Sequence, residues 1–124
     1  MNCERVSKVA FDFEKLNVYK ESLEFVDLVY ELMHSFTRAE IMGITSQIRR
    51  AATSIPLNVA EGSGRSKKEF ANYIGRARAS VYECVSLLEI ARRQKFVEAK
   101  EHEILYGKCE KLAKMLSGLA RSLG

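Results

Sequence analysis

Residues 66–91, SKKEFANYIGRARASVYECVSLLEIA, decide the fold. Phe70, Ile74, Ala77, Val81, Cys84, Leu88 and Ala91 recur at spacings of 4, 3, 4, 3, 4 and 3, the period of a single apolar stripe on an α-helix. No strand alternation competes with it. Ser66-Lys67-Lys68-Glu69 is a capping box, in which serine and glutamate each satisfy an amide at the helix start. Continued to about Lys95, this helix would be roughly 45 Å long at 1.5 Å per residue.

A second stripe follows a short break near Phe96-Val97: Leu105, Cys109, Leu112, Leu116, Leu119 and Leu123. No good N-cap marks where this last helix begins. The two stripes mirror each other, with Leu88 opposite Leu105, Cys84 opposite Cys109, Val81 opposite Leu112, Ala77 opposite Leu116 and Ile74 opposite Leu119. Antiparallel helical hairpins stack their core layers in this way. Cys84 and Cys109 are therefore expected to be buried, close together and reduced, with Cys3 outside the bundle.

On the N-terminal side, residues 47–65 read QIRRAATSIPLNVAEGSGR and hold the only proline of the chain. The stripe Ile41, Ile44, Ile48, Ala52, Ile55 and Val59 is helical, so Pro56 should bend a helix rather than end it. Asn58 is placed to satisfy backbone groups freed there. Gly62 and Gly64 are expected to end the helix in the left-handed conformation. Its start is marked by a Thr37-Arg38-Ala39-Glu40 capping box, with Phe36 and Ile41 as a hydrophobic staple. Before it, Leu16, Tyr19, Leu23, Val26, Tyr30 and Met33 form the inward stripe expected of a first helix. The fold class predicted is all-α, an antiparallel up-down-up-down four-helix bundle, one domain over 1–124 with 1–12 as a mobile N-terminal segment.

Composition fits that plan. The chain has 124 residues, 47% hydrophobic and 29% charged, enough for one core and too apolar for disorder. No stretch has the length of a membrane span or the apolar run of a signal peptide, so a cytoplasmic location is expected. Three cysteines without C-x-x-C spacing and two histidines leave too few ligands for zinc. No cofactor motif, nucleophile–base pair or phosphate-cradling loop emerges, and an enzyme is the least favoured reading.

The net charge of +4 is uneven. Residues 1–48 carry −3, residues 49–95 carry +6 and residues 96–124 carry +1. A basic middle segment suits a polyanion, or an acidic first helix within the fold or across a subunit contact.

The motifs also resemble a known family. Phe13, Leu16 and Tyr19 match its opening element, with tyrosine where tryptophan is expected. Glu40, Gly43, Ile44, Gln47, Arg49, Arg50, Ala51, Ser54, Ile55, Asn58, Val59, Ala60, Glu61 and Gly62 match its long central block, continued by Arg65 and Glu69-Phe70. Ala77, Ala79, Ser80, Val81 and Glu83 match the third-helix element, with alanine in a glycine position, and 115–123 resembles the closing helix. Thr37 stands where proline is usual. The chain thus resembles the four-helix-bundle family that includes 23S rRNA intervening sequence proteins and the accessory variability proteins of diversity-generating retroelements. The resemblance implies a ring-shaped homopentamer. Among relatives it implies roles with RNA or DNA, or beside a reverse transcriptase.

The candidate nucleic-acid-binding residues are Arg49, Arg50, Arg65, Lys67, Lys68, Arg76, Arg78, Arg92 and Arg93. Arg49 and Arg50 lie about 100° apart on a helix. One of them meeting phosphate competes with one pairing to Glu61 or Glu83. Arg65, Lys67 and Lys68 surround a helix N-terminus, where amides and dipole favour anions; a solvated turn is the plain alternative. Arg76 and Arg78, with Arg92, Arg93 and Lys95, are a basic face that solvent alone would explain. The segment from Arg76 to Ser80 is also a candidate subunit contact. Tyr73 and Tyr82 are able to stack on bases or simply pack.

Two functions follow: a non-enzymatic nucleic-acid-binding or accessory protein, or a protein–protein scaffold such as an accessory subunit of a reverse transcriptase. Phe25, Leu28, Val29, Leu32, Leu57, Val85 and Leu87 fall off the assigned stripes. They either widen the core or cover a second, oligomer-forming surface.

Overall fold

Among the described residues, 11–36 and 42–124 of this computed structural model, a 3₁₀ turn at Asp12–Lys15 leads into four helices. They are α1 (Asn17–Met33), α2 (Met42–Ser63), α3 (Lys67–Arg93) and α4 (Ala99–Ser122). Each packs on its neighbours in a closed square: α2 against α1 and α3, α3 against α4, and α4 back against α1. The bundle is all-α, as predicted. The Thr37–Glu40 capping box, Ile41, Cys3 and most of the expected N-terminal segment lie outside the described residues.

The α3 and α4 stripes supply about half of the core, with Leu119 and Leu123 only partly covered. Phe70, Ile74, Ala77, Val81, Cys84, Leu88 and Ala91 are all buried, and they face buried Leu105, Cys109, Leu112 and Leu116. Ser66 caps α3 as expected: its Oγ accepts from the Glu69 amide at 3.2 Å, and its own amide donates to Glu69 Oε1 at 3.4 Å. The start of α4 is held from within, where Glu101 Oε1 accepts from the Glu98 amide at 3.2 Å. Burial pushes the Cys109 thiol up to about 12. Burial first, then neighbouring Cys109, raises Cys84 further. Both thiols are free.

In α1 the expected stripe holds at Met33, which is buried, and leaves Leu16, Tyr19 and Val26 partly covered at the core's edge. The buried face is turned from it by about one residue, roughly 100° of rotation. Val18, Ser22, Phe25, Val29 and Met33 are buried, whereas Leu23 and Tyr30 are about two-fifths exposed, at 41% and 40%. Ser22 hides the true stripe, since a serine reads as a break in an apolar face. Its hydroxyl donates to the Tyr19 carbonyl at 2.7 Å, which removes the cost of burying it. Of the off-stripe residues, Phe25, Val29 and Leu87 thus widen the core. Leu57 does not, at 63% exposed.

Helix α2 runs without interruption through a buried Pro56. Asn58 Nδ2 donates to the Ser54 carbonyl at 2.8 Å, one turn back, and not to the Ala52 carbonyl that proline deprives of its partner. Gly62 and Gly64 are not left-handed; that conformation belongs to Lys95, at φ 67°. Lys95 and Phe96 amides bond to the Arg92 and Ala91 carbonyls at 2.9 Å each, the two bonds of a Schellman C-cap. Gly62 has a different reason. A side chain there would meet Tyr73 Cβ at 2.5 Å and Phe70 Cδ1 at 3.1 Å, so glycine lets α2 and α3 approach closely.

Candidate nucleic-acid interface

Guanidinium groups are weakly hydrated planes that bond phosphates and also lie on aromatic faces. Four such contacts occur among the described residues. Arg65 Cζ lies 4.9 Å and Arg76 Cζ 4.5 Å from the centre of the same Tyr73 ring. Arg49 lies 5.2 Å from the Tyr30 ring, and Arg78 5.2 Å from that of Tyr82.

The Tyr73 arrangement follows from the fold beneath it. The Gly62 contact brings Tyr73 against the end of α2, and three residues later the Ser66 cap starts α3. Arg65 is thereby set beside the ring, and Arg76, three residues along α3 from Tyr73, covers it from its own helix. Lys67 and Lys68 stand exposed in the first turn of α3. Glu61 offsets part of this charge: its carboxylate accepts from the Tyr73 hydroxyl at 3.4 Å and lies 3.8 Å from Arg65 Nη2. Both ends of that ion pair are solvent-exposed, so it is worth at most about 1 kcal/mol. The expected pairing of Glu61 with Arg49 or Arg50 does not form; its partners are Arg65 and Tyr73.

Arg76 and Arg78 are two residues and so about 200° apart on α3. Arg76 lies on the α2 flank. Arg78 lies on the α4 flank, where it donates to the Tyr82 hydroxyl. It shares a cleft of about 200 Å³ with Lys114, Ser117 and Arg121 of α4. Lys114 and Arg121 were missed in the sequence, although their spacing of seven residues puts them on one face of α4. Ala113 joins this cleft to a second hollow of about 380 Å³ between the same helices, flanked by Tyr82 and Tyr106.

The remaining candidates stand apart. Arg49 Nε is buried with no hydrogen-bond partner among the described residues, and Arg50 is exposed further round α2. Arg92 and Arg93, about 24 Å along α3 from Arg76, both serve Glu89: Arg92 Nη2 at 2.6 Å and Arg93 Nε at 3.0 Å. His102 Nε2 of α4 lies 3.4 Å from the other Glu89 oxygen. Hydrogen bonds from Arg92, then Arg93, hold the Glu89 carboxyl down at about 2, and Glu89 raises Arg92 in return. The structure thus joins Arg65 and Arg76 on the Tyr73 ring, leaves Lys67 and Lys68 exposed in the adjoining first turn of α3, and separates Arg78, the Arg49–Arg50 pair and the carboxylate-bound Arg92 and Arg93. Within the Arg76–Ser80 segment, Ser80 shares a hydrogen bond with Ser54 of α2.

Among the described residues, no group of three or more acidic, histidine or cysteine side chains is placed to hold a metal. None of these helices is long and apolar enough to cross a membrane. A comparison with curated proteins found no match. Among solved structures, a protein of unknown function from the S23 ribosomal protein family of Bacteroides thetaiotaomicron VPI-5482 superposes with a TM-score of 0.75 at 23% identity. The match covers 83% of this chain and 97% of that one, and it shows a shared fold. The model of the 23S rRNA-intervening sequence protein family matches residues 14–118, nearly the whole bundle, and the chain belongs to that family.

Proposed function

We propose that this protein is a non-enzymatic nucleic-acid-binding accessory factor that acts in the cytoplasm as a ring-shaped homo-oligomer. The observation that carries this reading is the Arg65–Tyr73–Arg76 stack, with Lys67 and Lys68 exposed in the first turn of the same helix and only Glu61 and Glu69 close by in sequence. Membership of a family named for 23S rRNA intervening sequences supports it. Such a patch binds by displacing counterions from phosphates, so affinity falls as salt rises. A pentamer would repeat it five times around a ring and multiply avidity. Exposed Leu57, Ile90 and Ile104, at 63%, 47% and 50%, supply apolar surface for subunit contacts.

The test is a filter-binding assay with RNA and DNA across a salt series. Charge reversal at Arg65, Lys67 and Lys68 should weaken binding and flatten its salt dependence while leaving helicity unchanged. No binding at low salt would sink the proposal. Light scattering tests the ring, which a mass near 14.1 kDa at micromolar concentration would exclude. The same exposed apolar residues also suit a scaffold for a protein partner, such as a reverse transcriptase. A pull-down that survives nuclease treatment would favour that reading.

A further inference from the structure

We propose that the groove between α3 and α4 is a separate site for single-stranded nucleic acid, with bases on Tyr82 and Tyr106 and phosphates on Arg78, Lys114 and Arg121. The proposal rests on the nucleic-acid reading above and assigns it a strand preference. The groove exists because small residues line it. Ser86, Ala113 and Ser117 fill little of the space between the two helices, and a hollow of about 380 Å³ opens into a cleft of about 200 Å³.

Its lining changes character along the axis. At one end, two large rings stand in solvent, Tyr82 at 54% and Tyr106 at 45% exposed. Tyr106 is stacked on His102, with ring centres 6.0 Å apart and planes 27° from parallel. At the other end, Arg78, Lys114 and Arg121 converge on one cleft. From Tyr106 to Arg121 the run is about 22 Å along α4.

Flat apolar faces followed by cations match the two surfaces of an unpaired strand, whose bases are free to stack and whose backbone is anionic. A duplex hides its base faces and would meet only the cations. An anionic partner is selected by charge: three cations line the groove against one carboxylate, Glu110. The Arg78 guanidinium is already held by the Tyr82 ring and hydroxyl, so one aromatic and one cation are positioned as a unit.

The experiment measures anisotropy of fluorescein-labelled oligothymidylate, and of a DNA duplex of equal length, with the full chain at low salt. Single strands should bind more tightly than duplex. Tyr82→Ala and Tyr106→Ala should each weaken oligothymidylate binding by at least about fivefold, the low end of what one stacked base contributes. Tyr106→Ala should leave duplex binding unchanged, and Tyr106→Phe should bind as the native chain does. Tyr82→Ala, which also frees Arg78, should weaken duplex binding less than single-strand binding. Glu110→Gln should tighten binding, and Lys114→Ala should reduce the salt slope by about 0.7. These side chains are exposed or half-buried, and circular dichroism checks that each variant folds.

Equal affinity for duplex and single strand, with no effect of either tyrosine, would overturn the groove while leaving the Arg65–Lys68 patch as the nucleic-acid surface. Polyglutamate competing as well as a single strand of equal charge would also overturn it, in favour of an acidic peptide. Absence of any nucleic-acid binding would remove both proposals together.

Discussion

Replacing Gly62 by alanine isolates the contact that positions Tyr73. The new methyl carbon would stand 2.5 Å from Tyr73 Cβ, where ordinary contact begins at 3.4 Å. Tyr73 Cβ is fixed to the α3 backbone, so no rotamer change relieves the clash. The helices must separate by roughly 1 Å, and a packed interior transmits that shift rather than absorbing it. Overpacking of this kind costs about 1–3 kcal/mol. Against it stands a gain of about 0.5–1 kcal/mol from replacing glycine with alanine in a helix.

The expected net effect of Gly62→Ala is a loss of up to about 2.5 kcal/mol. Gly107→Ala is the control, because Gly107 lies within α4 and a methyl added there would have no neighbour within 4 Å. It should stabilise by about 0.5–1 kcal/mol. At about 4 °C per kcal/mol for a chain of this size, the two variants should melt on opposite sides of the native protein. The assay is thermal denaturation followed by circular dichroism at one fixed protein concentration. If Gly62→Ala melts above the native chain, as Gly107→Ala should, the close approach of α2 and α3 does not constrain this position.

Three further outcomes test other parts of the structure. Phe25→Ala should cost about 3–5 kcal/mol, whereas Leu23→Ala should cost under about 1 kcal/mol; urea titrations giving equal losses would restore the rejected α1 register. Lys95→Gly relieves a left-handed residue and should stabilise by about 1 kcal/mol, and an unchanged or lower melting temperature would count against that strain. The Glu89 carboxyl, held at about 2 against an ordinary 4.5, favours the fold above pH 4.5. That contribution fades as pH falls from 4.5 towards 2, so Glu89→Gln should flatten stability against pH in that window, and an unaltered acid profile would contradict the cluster.

Helices α3 and α4 were legible because each carries a single apolar stripe, and the mirrored numbering of the two stripes paired them without further information. Helix α1 carries two, and period alone does not choose between them. Burial of Phe25 and Val29 makes the choice, and Ser22 is tolerated on that face because its hydroxyl donates to the Tyr19 carbonyl one turn back. Gly62 was misread for a related reason. A glycine near a helix end suggests a cap, and only the placement of Tyr73 on another helix reveals a crossing point. Among the candidate cations, Arg65, Lys67 and Lys68 were found from local sequence because a turn holds them together. Lys114 and Arg121 sit in a nearly neutral segment, and their meeting with Arg78 depends on how α3 and α4 face each other.

The guanidinium–tyrosine pairs have a consequence for the entropy of any binding event. A free arginine side chain loses about 2 kcal/mol of rotamer freedom when a ligand immobilises it. Arg65, Arg76 and Arg78 have surrendered part of that freedom already, each lying on a ring within about 5 Å. An anion arriving at these groups therefore orders less of the protein than it would at three unsupported lysines. Removing the tyrosines would loosen the cations without deleting a single charge.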